Sequence, residues 1–393
     1  MHLEQGRPLG LPALVRYFLY LGSLGFGGPV ALVGYMQRDL VERRGWFSVE
    51  TYKKGLALSQ LAPGPLAAQL AICLGYAHSR LRGATLVGLA FVLPSYLMTV
   101  AIGMAYVRFG GLSWMQAAFY GVGAAVIGII VRAAWKLTRL TLGGDRLRWG
   151  IFAVMGIVTA WTESESALLF VLCGVVALAV QTPPGWLRNA WRAGTARGLA
   201  ALPLPAAWLT GLGPPASTDT LARVFWFFTE AGAFVFGSGL AIVPFLYGGV
   251  VQRYGWLTDR QFLDAVAVAM LTPGPVVITV AFIGYLVAGQ VGAALAALGV
   301  FLPVYLFVVI PYPWFDRWSG NPQVRAFVDG VTAAATGAIA GACVVLARRA
   351  IVDVPTALVA LAAFAIAWRF RMPEPVLIAG AAAVGFLVFW ARA

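Results

Sequence analysis

The sequence predicts an all-α, polytopic integral membrane protein built from two homologous repeats. Three observations carry that prediction. Apolar residues make up 61% of the 393 and charged residues only 11%, with a mean hydropathy of +0.83; that leaves too little polar surface to coat a soluble globule of this size. Long apolar runs recur between short polar connections, and several reach the roughly 20 residues that a helix needs to cross about 30 Å of hydrocarbon. The same Gly/Pro punctuation then occurs twice, about 210 residues apart. It runs from Phe26-Gly27 to Pro63-Gly64-Pro65, and again from Phe236-Gly237 to Pro273-Gly274-Pro275.

The apolar runs fall at 12–36, 56–78, 84–107, 114–135, 150–180, 222–250, 264–287, 291–311, 326–347, 351–368 and 375–391. With breaks counted, about 10 to 13 membrane segments are expected, and nothing resembles the alternating strands of an outer-membrane barrel. The first run carries no small-residue cleavage site, so it is read as a retained helix and not a removable signal. It is interrupted at Gly27-Gly28-Pro29, and a polar loop follows that ends in Gly45-Trp46. The next run is interrupted at Pro63-Gly64-Pro65, where Pro removes a helix donor, Gly loosens the backbone and the second Pro suits the first turn of a new helix. Residues 222–250 repeat the first pattern: as one helix they would be about 44 Å long, and Gly237, Gly239 and Pro244 supply the break. The expected organisation is an N-terminal repeat over 1–180, a linker over 181–220 and a C-terminal repeat over 221–393.

The net charge of +13 comes from 28 Lys and Arg against 15 Asp and Glu dispersed over short loops. That pattern fits positive-inside flanking of helices and argues against a nucleic-acid partner. Arg132, Lys136, Arg139, Arg146 and Arg148 place one connection inside, and Glu163 and Glu165 place the next outside. Whether 199–215 crosses the bilayer decides between parallel and inverted repeats. Cys73, Cys173 and Cys343 lie in apolar runs, and His2 and His78 are the only histidines, so no metal site and no cofactor is expected.

Irregular backbone at membrane depth is tolerated where it is buried in protein or lines a cavity. A helix that restarts there offers unpaired N–H groups and a partial positive charge, which suits an anion without a fixed Lys or Arg. The four breaks are therefore expected to converge on one oxyanion site. Its backbone comes from Gly27, Gly28, Pro63, Gly64, Pro65, Gly237, Gly239, Pro273, Gly274 and Pro275, and its side-chain donors from Ser59, Gln60, Gln69, Ser238, Thr272 and Thr279. Unwound carbonyls also bind Na⁺, so a cation site stays open at this stage. Arg43 and Arg253 would raise the local anion concentration. Glu230, isolated among apolar neighbours in FWFFTEAGAF, is the first candidate for a proton-coupling carboxylate, and Asp264 is the second. Lys54 and Asp264 are repeat equivalents of opposite charge.

The motifs FGGP…GWFS…SQLAPGPLAAQLAICLGY…LP-S-Y, repeated as FGSG…GWLTDRQFLDAVAVAMLTPGP…GY…LP-V-Y, resemble those of the chromate transporter family, the proton-driven exporters of chromate and sulfate. The pattern is carried by Phe26, Gly27, Gly28, Gln60, Pro63, Gly64 and Pro65, and by Phe236, Gly237, Gly239, Asp264, Thr272, Pro273, Gly274 and Pro275. Met270, Ser238 and Thr279 depart from it, where Gln, Gly and Asn are usual. The resemblance implies an antiparallel pair of halves, a chromate or sulfate dianion as substrate, and a multi-pass place in the bacterial inner membrane with the lipid bilayer as surroundings. It also implies a role in chromate resistance, and a homodimer is left open. A membrane-embedded phosphatase would need a nucleophile or acid–base cluster beside a break, and none is present in the sequence. A passive anion channel is the other alternative, separated from a carrier by coupling to a proton gradient.

Overall fold

The computed structural model describes residues 10–26, 28–109, 113–162, 167–183, 218–234, 242–318, 320–370, 372 and 374–392. All regular structure among them is helical. In the first half, α1 (Leu11–Leu24) and α2 (Gly28–Met36) flank the FGGP break, α2 running on through a π-helical turn, Gln37–Arg43. They fold back on each other: Tyr17 OH reaches Asp39 at 3.5 Å near the open end, and Leu32 packs beside Gly25 near the tip. Trp46 of the Gly-Trp loop stacks edge-on against Tyr17, centroids 6.4 Å apart, so the loop returns to the face where α1 begins.

Helix α3 (Val49–Leu61) is capped by Ser48, whose side chain accepts from Thr51 N–H. It ends at the PGP turn, and α4 (Leu66–Phe109) begins beyond it. Gly55 on α3 sits against Leu70 and Cys73 on α4, and Ser59 meets Cys73 at 3.7 Å. The pair is therefore a second hairpin that dips in and returns. At about 20 Å per arm, its tip lies inside a bilayer about 30 Å thick. The 44 residues of α4 would reach about 66 Å if straight, and they are not straight. Ser79 (φ −141°, ψ 33°) and Arg80 (φ 53°, ψ −139°) reverse the chain, and Gly75 packs onto the Gly83 carbonyl across the turn. The arm after Arg80, the crossing arm, is by itself long enough to span the hydrocarbon.

The second half repeats each device. Helix α8 (Thr218–Phe234) precedes α9 (Ile242–Tyr247) and its π-helical turn Gly248–Arg253, and α10 (Asp259–Leu271) starts at a Thr258/Gln261 capping box. A 3₁₀ turn (Val276–Ile278) leads into α11 (Thr279–Val309), which reverses at Ala288 (φ −146°, ψ 30°) and Gly289 (φ 63°, ψ −150°). Gly284 then packs on the Gly292 carbonyl.

Contacts between the halves fix their relative direction. The chain after the second PGP turn runs parallel to the crossing arm of α4: Gly274 meets Ser95, and further along Tyr285 meets Gly103. Because α11 then reverses, its own crossing arm runs antiparallel to that of α4, and Tyr305 OH lies 2.8 Å from Thr85 Oγ1. Equivalent crossing arms with opposite directions make the repeats inverted. The segment 184–217 lies outside the described residues.

The remaining long helices among the described residues are α5 (Ser113–Leu142), α6 (Arg146–Thr162) and α7 (Ala167–Gln181), and their counterparts α12 (Pro322–Ala350), α13 (Val354–Arg369) and α14 (Glu374–Arg392). The expected single run 150–180 is thus two helices, α6 and α7. These helices exchange between halves. Gly121 and Gly128 on α5 lie against the Ala381 and Ala360 carbonyls of α14 and α13, while Gly330 and Gly337 on α12 lie against those of Cys173 and Phe152 on α7 and α6. No side chain fits at these crossings. Polar clamps join the same partners, Tyr120 with Asp353 and Arg148 with Asp329. Among the described residues, four helical stretches are long and apolar enough to cross a membrane, including Gln116–Arg139 and Pro322–Ala350. Leu89, Leu97, Trp161, Leu298 and Trp390 stand outward on the apolar surface, so the fold is that of a multi-pass membrane protein.

Candidate functional site

The inverted hairpins bring breaks from opposite halves together. Gly274 N–H donates to the Gly25 carbonyl at 2.9 Å, joining the second PGP turn to the first FGGP hairpin. Ser95, fully buried on α4, holds the junction: its Oγ lies 2.7 Å from the Pro273 carbonyl and 3.2 Å from that of Gly22. Gly64 sits at φ +136° and Gly274 at φ +93°, backbone that a Cβ disfavours. A Cβ on Gly274 would land on Ser95 Oγ, whereas one on Gly64 would meet the Gln69 amide and, at 3.1 Å, Val304. Val304 is the repeat counterpart of Ser95, so the first PGP turn makes the mirrored contact without the polar bond.

Among the expected side-chain donors, several are engaged with backbone. The Gln69 amide is fully buried and donates to the Pro63 carbonyl at 2.6 Å and the Ala62 carbonyl at 3.3 Å; both of its hydrogens hold the turn, and Oε1 has no partner. Gln69 therefore positions the PGP backbone in this conformation. Thr272 and Thr279 donate to the Ala269 and Val276 carbonyls, and Ser59 donates to the Gly55 carbonyl. Gln60 is exposed at the end of α3. Pro63, Pro65, Pro273 and Pro275 lie in the turns beside the two glycines, and the α4 backbone restarts at Leu66 with Pro65 accepting from Gln69 N–H. Gly28 opens α2. Gly27, Gly237, Ser238 and Gly239 lie outside the described residues.

The two interrupted halves are also what a comparison of sequences picks out. Residues 12–178 and 222–386 each match the family described as chromate transporter. The chain belongs to the chromate transporter family. A chromate transport protein of Cupriavidus metallidurans is 60% identical over 96% of this chain and 93% of its own length. A probable chromate transport protein of Synechococcus elongatus is 56% identical over 97% and 96%, and a chromate transport protein of Pseudomonas aeruginosa is 32% identical over 97% and 93%. No solved structure matches the chain.

In this member of the chromate transporter family the charged candidates sit away from the tips. Asp264, only 3% exposed, accepts from Tyr106 OH at 2.7 Å and lines a cavity of about 110 Å³ with Arg260, Gln116 and Phe119. Its counterpart Lys54 is paired with Asp316 at 2.5 Å and lines a cavity of about 500 Å³. Glu230 is half-buried on α8, with the Arg253 guanidinium as the opposite charge that acts on it. Arg43 is exposed and lies 3.7 Å from Asp39, and Arg253 is exposed over the Tyr254 ring. Among the described residues no group of His, Cys, Asp and Glu could hold a metal. Sequence reasoning missed Ser95 and Tyr106. The first was visible only as the variable letter in LP-S-Y, and nothing in the sequence singles out the second.

Proposed function

We propose that this protein is a secondary active transporter that exports chromate across the bacterial inner membrane, driven by the proton motive force. The observation that carries the reading is the family membership together with near full-length identity to proteins named for chromate transport. Inverted repeats with broken segments meeting between them suit alternating access around a central site. The anion would be held by backbone N–H groups freed when the Gly274–Gly25 contact opens, with the restarting helix at Leu66 adding its partial positive charge. Sulfate, a tetrahedral dianion of the same charge, would compete for the same groups.

Orientation supports export. The face carrying Arg43, Arg80, Lys136, Arg139 and Arg148 is the more basic, hence cytoplasmic, and the larger cavity opens on that face. Asp264 and Glu230 belong to helices entering from the opposite face and would carry the coupled proton. Expression in a chromate-sensitive bacterium tests the direction: cells making the protein should accumulate less radiolabelled chromate than vector controls, and equal or higher accumulation would refute export.

A further inference from the structure

The cavity of about 500 Å³ beside α3 contains a cation in a position that repeat symmetry assigns to glycine. Arg80 (φ 53°, ψ −139°) is the sole non-glycine residue with positive φ among the described residues. Its counterpart at the reversal of α11 is Gly289, in nearly the same conformation (φ 63°, ψ −150°). Backbone there is open to glycine and costly to any residue with a Cβ. Positive-inside flanking does not explain the choice. A basic residue of that kind can stand anywhere at the helix end, and Arg82 stands exposed two residues later.

The surroundings supply a reason. Arg80 lines the cavity together with Lys54, Tyr76, Tyr312, Glu50 and Asp316. Its guanidinium lies over the Tyr76 ring, 5.9 Å from the centroid, and Lys54 Nζ lies 5.1 Å from the centroid of Tyr312. Asp316 is neutralised by Lys54, whereas Arg80 forms no ion pair with a carboxylate among the described residues. Below the cavity, Leu58, Cys73, Val304 and Val308 pack into one apolar cluster, with Val304 reaching the first PGP turn. The cavity therefore ends at a dry plug above the tip. The inverted counterpart cavity is smaller, and Asp264 stands there in place of Lys54.

We infer that Arg80, beside the Lys54–Asp316 ion pair, forms a docking site for a tetrahedral oxyanion at the mouth of one half, where substrate is captured before the plug opens. That the oxyanion is chromate rests on the transport reading above. Glu50, the remaining carboxylate in the wall, opposes binding and limits affinity, so that the anion can move on.

The test is equilibrium dialysis of radiolabelled chromate against the purified full-length protein, in lipid-free micelles and in nanodiscs containing anionic lipid. Arg80→Gly gives the residue that the backbone favours, so its melting temperature should equal or exceed that of the wild type while chromate binding weakens about tenfold, the loss of one unit charge near 6 Å from a dianion in water. Glu50→Gln should tighten binding several-fold. Unchanged affinity in Arg80→Gly overturns the site, as does a wild type that binds no chromate at millimolar concentration. An effect of Arg80→Gly seen only as altered retention of anionic lipid would place a lipid headgroup there and also overturn it. Chromate uptake by wild-type vesicles judges the transport reading separately: uptake with an unaltered Arg80→Gly affinity removes this site alone.

Discussion

Replacing Gly274 by alanine should stop transport without preventing insertion. The residue holds φ +93°, which costs a β-carbon roughly 1–2 kcal/mol. The new methyl would lie on Ser95 Oγ and 3.1 Å from the Gly22 carbonyl, an overpacking of about 1–3 kcal/mol. Shifting either partner also threatens the Gly274–Gly25 hydrogen bond, worth about 1 kcal/mol. Because these terms share neighbours they do not simply add, and about 3 kcal/mol is a fair total. Applied to the state in which the halves are docked at this junction, that changes its population about a hundredfold. The assay is initial-rate chromate transport in vesicles, normalised to protein quantified by immunoblot. Gly64→Ala should be milder, since its new methyl meets the movable end of the Gln69 side chain and Val304. Ser95→Ala placed on Gly274→Ala should restore part of the activity by removing the oxygen in the way. A Gly274→Ala protein with wild-type rates, or a defect indifferent to Ser95, would show that transport does not depend on this junction.

Further outcomes are expected. Excess sulfate should inhibit chromate transport in a concentration-dependent way, measured by competition; inhibition by phosphate but not by sulfate would contradict recognition of a dianion. In a background without Cys73, Cys173 and Cys343, single cysteines at Ser48 and Thr258 should react with an impermeant thiol reagent from opposite faces, each cap loss costing about 1 kcal/mol; labelling from one face would establish parallel repeats. Asp264→Asn keeps an acceptor for Tyr106 and removes the ionisable group, so it should transport with a flattened pH–rate profile. Glu230→Gln should act likewise, and full activity with the wild-type profile in both variants would remove carboxylate coupling.

The duplication was legible because its signals are Gly and Pro, residues whose backbone consequences are local. Each PGP and Gly-Trp position is matched by a break between helices in the structure. Chain reversal was less legible. Residues 66–109 read as two runs, yet nothing in hydropathy tells whether a run crosses or returns, and Arg80 conceals a turn that Gly289 would have announced. The exchange of α6 and α7 against α13 and α14 was invisible, since it is carried by glycines such as Gly121 and Gly330 that meet carbonyls far away in sequence. Gln69 was read as a donor to the anion, and in this conformation its amide donates instead to the Pro63 and Ala62 carbonyls of the turn. Ser95 escaped notice because its significance lies in the two carbonyls it faces from the other hairpins, and the sequence does not say which carbonyls those are.

Uptake of radiolabelled chromate into inverted membrane vesicles under an imposed pH gradient distinguishes a proton-coupled exporter from a passive path. Chromate should accumulate above the external concentration while the gradient lasts, and the accumulation should collapse on adding a protonophore. Entry that only equilibrates and ignores the gradient would show a passive path, and no uptake above vesicles lacking the protein would contradict transport itself.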